Sequence, residues 1–305
     1  MAVPHVSVNF GDILAPDFEE IFDEEYAQHP SKKDDLYGTP EKSTRDIMKW
    51  SGVGTLPDFN EFTGLIEYQS QSQGYDTTAT HIEFANGCQV ERKLFDDDQY
   101  NVFNQRPAAL GASAARTREK HAARLLNMAF SNDTYFYNNT EGVALCSNSH
   151  TTTSGASTAS GFDNLGTASM TAVAVATGRI QMVGFRGDQA ERISVIPNQL
   201  WYPPDLYEKA YEIINASGKV DTALNNPNVH EGKYTGHEWN FLTDSNNWFM
   251  IDSRTSARMF HWIDRIALEF GMIEDFDTLI AKFRAYMRYS IAWTDWRCIC
   301  GFQVS

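Results

Sequence analysis

The sequence predicts an α+β fold with a central sheet, and three stretches carry that prediction. "RPAALGASAARTREKHAARLLNMAF", residues 106–130, is rich in alanine, the best helix former. Residues 48–95 read as a long hairpin whose "MKWSGVGTLPDFNEFTGLIEYQSQSQGY" half is loaded with Gly, Gln and Ser. "FRAYMRYSIAWTDWRCICGFQV" at the C-terminal end alternates strongly enough for one or two long β-strands.

Taken in order, residues 1–47 form an arm rather than core. "DFEEIFDEEY" packs six acids into ten positions, and "QHPSKKDDLYGTPEKSTRD" is polar and broken by prolines. Phe18, Ile21, Phe22 and Tyr26 recur at three- and four-residue steps, which fits a short amphipathic helix bound to a partner surface or a frayed terminus. In the hairpin, Ile82, Phe84, Val90 and Leu94 alternate with polar residues, and Asn86-Gly87 supplies turn or bulge chemistry. A long polar loop with little core of its own reaches for a partner or stays disordered. Pro107 suits the first turn of the helix that follows, which from 107 to 130 would run roughly 36 Å. Ala108, Ala112, Ala115, Ala122, Leu126 and Ala129 make a shallow seam that another element can approach closely. The opposite face carries Arg116, Arg118, Lys120 and Arg124 against Glu119. It is either a solvated face or a basic ridge that receives the acidic arm or a neighbouring subunit. A polar, mobile-looking connection leads to a helix-like run at 167–185, a strand at 192–204 and a helix at 204–217. "WFMIDSRTSARMFHWI" reads as a strand pair or a strand plus a turn.

At 305 residues and 42% hydrophobic content the chain can bury a sizeable core. A net charge of -15 disfavours a general nucleic-acid binder, whose affinity rests on surplus Lys and Arg. No stretch approaches the roughly 20 apolar residues of a membrane span, and "MAVPHVSVNFGD" lacks signal-peptide character, so a soluble protein made in a cytoplasm is expected. Cys88, Cys146, Cys298 and Cys300 read as small buried thiols rather than a disulfide framework or a zinc site. The eight histidines fall in no ligand pattern, and no nucleophile elbow or phosphate-binding loop is present, so no cofactor and no catalysis are expected. "ERKLFDDDQY" sets Asp96, Asp97 and Asp98 together. Adjacent carboxylates on one element diverge, so helix capping is favoured over a metal site.

An ordered set of segments resembles the major capsid proteins of tailed bacteriophages, specifically the Mu-like major head subunit family. The segments are "MKWSGVGTLPDFNEF", "ERKLFDDDQYNVFNQRPAALGASAARTREKHAARLLNMAF", "GVALCSNSH", "NLGTASMTA", "RISVIPNQLWYPPDLYEKAYEIINAS" and "NNPNVHEGKYTGHEWNFLTDSNNWFMID". The resemblance runs over roughly residues 45–305; the acidic arm matches nothing in it.

The resemblance implies the Hong Kong 97 type capsid fold: an N-terminal arm at 1–47, an extended loop at 48–80, a peripheral domain at 81–165 and 251–291 with a long spine helix, and an axial domain at 166–250 and 292–305. It implies a non-enzymatic protein that assembles as pentamers and hexamers into an icosahedral shell around double-stranded DNA, with only weak nonspecific DNA contact and no membrane. A separate scaffolding protein, a portal and a possible decoration protein are the implied partners, with assembly in a bacterial cytoplasm and residence in the virion. Expansion of a precursor shell would use hinges such as Gly52, Gly54 and Gly64. Trp50, Leu56, Phe59 and Phe62 are the candidate loop anchors, because large apolar side chains on a polar loop are costly unless covered; the other reading is a small local cluster. Arg116, Arg118 and Arg124 are the candidate basic contacts. Two alternatives stand beside this: another phage structural protein of tail or decoration type, and a metal-dependent hydrolase using the acid triplet.

Overall fold

In a computed structural model, the described residues are 11–66, 68–91, 105–218, 226–275 and 280–305. The chain opens with helices α1 (Gly11–Gln28) and α2 (Lys33–Tyr37), then strands β1 (Glu41–Lys42), β2 (Ile47–Val53), β3 (Gln73–Thr80) and β4 (Ile82–Glu91). Helix α3 (Gln105–Asn127) follows, then β5 (Tyr137–Asn139), β6 (Leu165–Gly166), α4 (Ala172–Val183), β7 (Gln199–Tyr202) and α5 (Tyr207–Asn215). The chain ends through β8 (Thr235–Glu238), β9 (Trp248–Ile251), α6 (Ser253–Met259), β10 (Phe260–Asp275), β11 (Ile280–Trp293) and β12 (Ile299–Phe302).

The described residues form three sheets. One has four strands in the order β1-β10-β11-β4, one has five in the order β6-β12-β9-β7-β8, and a ribbon of three runs β2-β3-β5. The predicted hairpin is present, with β2 and β3 antiparallel from Ile47↔Thr80 outward. Along β2, Met48 and Trp50 turn inward while Ile47, Lys49 and Ser51 face out, the period of two that a half-buried strand requires. The alternation at 283–304 resolves into β11 and β12. The sequence reading missed most of β10, which pairs with β11 along nearly its whole length. It also placed no helix at 253–259. Asp252 caps one there: its carboxylate accepts the backbone N–H of Arg254 (3.1 Å) and that of Ile196 (3.1 Å), which starts α6 between two strands.

The polar connection at 140–166 is held rather than loose. Buried Asn164 donates to the carbonyls of Leu145 (2.8 Å) and Ile299 (3.2 Å) and accepts from Ser147 N–H (2.7 Å), so one amide joins three segments. His150 stacks on Trp296 at 4.3 Å and 10°. Of the seven tryptophans, six are buried, and they populate one core that runs through both larger sheets. Cys146, Cys298 and Cys300 lie in that core as free thiols, and burial pushes Cys300 up to about 12.

Helix α1 corrects the reading of an arm seeking a partner. It lies on its own chain, along α3, with Phe18 and Phe22 buried against Leu110, Ala114 and Phe283 in a second, smaller core. The Phe18 and Phe283 rings meet edge to face at 5.6 Å. Helix α1 docks at Leu110, Gly111 and Ala114, whereas Ala122, Leu126 and Ala129 of the predicted seam pack into the main core; a Cβ at Gly111 would sit 2.6 Å from the carbonyl oxygen of Phe22, so only glycine lets the two backbones come this close. Phe22→Ala should lower stability by about 3–5 kcal/mol in denaturant unfolding. Gly111→Val should lift α1 and make residues 29–32 cut faster in limited proteolysis.

Candidate assembly surface

The loop that joins β2 to β3, residues 54–72, has a fixed root and an open tip. At the root, the Tyr75 hydroxyl meets Thr151 Oγ1 at 2.6 Å, Thr153 Oγ1 donates to the Gln73 carbonyl (2.7 Å), and Thr55 Oγ1 accepts from Asp188 N–H (3.1 Å). Gly54 N–H closes the ribbon on the Ser72 carbonyl at 2.9 Å. Just below, the register slips between Ser51 and Val53, and Gly52 faces Gly74 so closely that a Cβ on either would meet the other backbone near 3.2 Å. Arg297 anchors the turn that carries Asp188, donating to the Asp188 carboxylate (2.8 Å), to Asp295 (2.9 Å) and to the Arg186 carbonyl (2.7 Å).

The four expected loop anchors divide. Trp50 is occupied within its own chain: it is half-buried, packs on the main core and stacks on His261 at 4.7 Å and 21°. His261 is in turn held by Glu41 at 2.7 Å. Leu56, Phe59 and Phe62 are exposed, Phe59 completely, and the structure adds three the sequence reading did not choose, Leu65, Ile66 and Tyr68. Together they line a concavity of about 370 Å³ in the loop itself. Those three continue the apolar spacing of 56–62, and extending the same argument a few residues would have found them.

The basic ridge divides in the same way. Arg118 is buried, donates to both carboxylate oxygens of Asp264 at 3.0 Å, and lies over the Trp262 ring at 5.2 Å. Arg124 forms a forked pair with Asp133, 2.7 and 2.8 Å, and covers the Tyr135 ring. Two of the three arginines expected to meet a neighbour are therefore paired at home; Arg116, the third, is exposed on this helix face together with Lys120. Beside them, Glu119 is buried and accepts from Ser31 Oγ (2.5 Å), Lys32 N–H (3.2 Å) and Trp239 Nε1 (3.1 Å). Asp96, Asp97 and Asp98, with Leu94, lie outside the described residues. Among the described residues no group of three or more His, Cys, Asp or Glu is placed to hold a metal ion, and no helix is long and apolar enough to cross a membrane.

A loop clamped at its root and carrying six bare apolar side chains at its tip defines a protein whose surface is completed by a partner. The comparisons make this specific. The sequence profile of the phage capsid protein family matches residues 74–301, and the chain belongs to that family. No curated protein sequence matches it. In fold it is similar to the capsid protein of cyanophage P-SCSP1u, at 12% identity and a TM-score of 0.58 over 88% of this chain and 86% of that one. It is similar also to a virus-like particle protein from Pyrococcus furiosus (9%, 0.56, covering 94% and 98%) and to the procapsid of bacteriophage JBD30 (14%, 0.54, covering 98% and 76%). The Hong Kong 97 type fold is consistent with all three. The protein is a major capsid protein, and its place is the capsid of a virion.

Arg118→Ala should cost about 3–5 kcal/mol, because it strands Asp264 inside the chain, whereas the double change Arg118→Met with Asp264→Leu should cost much less; urea unfolding separates the two. His121 Nδ1 and the Tyr289 hydroxyl meet at 2.7 Å, and burial, with the nearby Arg124 and Lys120 charges, lowers the His121 pKa to about 4. Its ordinary value near 6.5 is restored on unfolding, so the unfolded chain takes up the proton first as pH falls. The stability held above pH about 6.5 is therefore lost towards pH about 4. Unfolding measured at pH 7 and pH 5 should show a larger loss in the native protein than in His121→Gln.

Proposed function

We propose that this subunit closes an icosahedral shell around double-stranded DNA, as pentamers and hexamers, by laying its 54–72 loop on the next copy. What carries the reading is the contrast between the hydroxyl-clamped root and the bare tip: the body presents Phe59 and Phe62 to a surface its own chain does not supply. Repetition by symmetry turns one modest heterologous contact into rings and then a closed shell. The five-stranded sheet with α4 and α5 fits the axial domain around the symmetry axes. The four-stranded sheet with α3 fits the peripheral domain. The long β10–β11 hairpin extends from it.

The role is structural rather than enzymatic, and of the kind the Mu-like head subunits play. The exposed acids Glu19, Glu20, Asp23 and Glu24 of α1, in a chain of -15, fit weak nonspecific contact with packaged DNA. A separate scaffolding protein and a portal would set the size and the entry vertex, with a decoration protein outside. Assembly would take place in a bacterial cytoplasm, and the register slip at Gly52 and Gly74 would let the loop swing as the shell expands. Phe59→Ser with Phe62→Ser should leave subunit unfolding within about 0.5 kcal/mol of native, as changes at exposed positions do. The same variant should abolish closed shells in negative-stain electron microscopy. Tubes or isolated trimers from the native protein would instead mark a tail or decoration component.

A further inference from the structure

A strip of cations along α6 and the segment 38–46 is left unanswered by its own chain. Arg254 and Arg258 stand one turn apart on α6, and both are exposed. The strap that follows α2 passes beside them, since a Cβ on Gly38 would sit 3.7 Å from the Ala257 side chain. From there β1 runs along β10, with Lys42 opposite Asp264. Glu41 turns in to His261 at 2.7 Å, so Lys42, the next residue of the strand, points the other way; Lys42 and Arg45 are both exposed.

The acids nearby are already committed. Asp252 accepts the N–H groups of Arg254 and Ile196, Asp264 holds Arg118, and Asp46 holds Arg288 at 2.6 Å. Asp34 and Asp35 of α2 are taken by Lys33 and Lys32. Arg254 leans on the Ser194 carbonyl at 2.7 Å, while Arg258, Lys42 and Arg45 form no ion pair among the described residues. Helix α1 presents the reverse: Glu19, Glu20, Asp23 and Glu24 are exposed and likewise form no ion pair among the described residues. Helical residues turn by about 100° each, so Glu20, two positions from both Phe18 and Phe22, projects away from the buried side, and Glu24 stands one turn behind it. Glu20–Glu24 and Arg254–Arg258 are thus rows of equal spacing and opposite charge, both open in the same chain.

Resting on the shell reading above, we propose that α1 of one copy lies across α6 and the strap of the next, with Glu20 and Glu24 facing Arg258 and Lys42. The contact joins two different faces of the chain, so it propagates from copy to copy rather than stopping at a pair. Exposed ion pairs carry it, so it is weak singly and screened by salt.

Arg258→Glu with Lys42→Glu breaks no ion pair inside the subunit, so thermal unfolding of the subunit should stay unchanged while shell yield at low salt falls at least tenfold. Adding Glu20→Lys with Glu24→Lys should restore most of that yield. Unchanged yield in the first variant, or no recovery in the second, overturns the pairing. Normal shells from the first variant together with weakened retention of double-stranded DNA on a filter also overturn it, and assign the strip to nucleic acid. Failure of the unaltered protein to form shells under the same conditions overturns the shell reading instead.

Discussion

Two neighbouring residues inside α3 hold the rest of the subunit in place. Successive side chains on a helix diverge by about 100°, so Arg118 and Glu119 reach different elements from one turn. Arg118 fastens β10 through Asp264; Glu119 gathers the connection after α1, through Ser31 and Lys32, and the segment after β8, through Trp239. Each charge is buried and keeps its counter-charge or donors only if every partner stays in position, and an unpaired buried charge costs several kcal/mol. The helix, the arm, the hairpin sheet and the five-stranded sheet therefore keep one mutual arrangement.

Around that turn, α3 works as a thin rod. Ala122 and Ala123 let the main core come close on one side, Gly111 admits α1 on another, and the third side borders an open groove. Small side chains make this sharing possible, since bulkier ones would hold the neighbours apart. The loop follows the opposite design: its root joins hydroxyl contacts, which ordinary salt does not screen, to the largely buried Arg297 pairs, which salt screens little, while its tip combines apolar bulk with acids. Ionic strength should thus act on the contact between copies far more than on the posture of the loop.

The sequence made the helix, the hairpin and the fold class readable because those rest on local signals: alanine content, glycine and glutamine content, alternation. It also marked Leu56, Phe59 and Phe62, since apolar residues in a polar loop need no partner to be noticed. What it hid depends on contacts far along the chain. Trp50 looks like its loop neighbours until His261 is seen beneath it. Arg118 and Arg124 looked like a solvent ridge because nothing local reveals Asp264 or the orientation of Asp133. The same holds for α1, whose acids suggested a free arm although Phe18 and Phe22 face a surface made by α3 and β11.

The wiring of the loop root has a consequence for timing. The bonds that seat its strands span very long stretches of chain: His81 to Ser290 across 209 residues, Glu41 to His261 across 220, Asp46 to Arg288 across 242. Until β10 and β11 have left the ribosome, Trp50 has no floor and β4 has no partner strand. A nascent chain cannot present an ordered loop, and such long-range closure is slow. An ordered loop therefore waits on residues 260–293, so a chain stalled before them has no formed contact surface to offer a neighbouring copy.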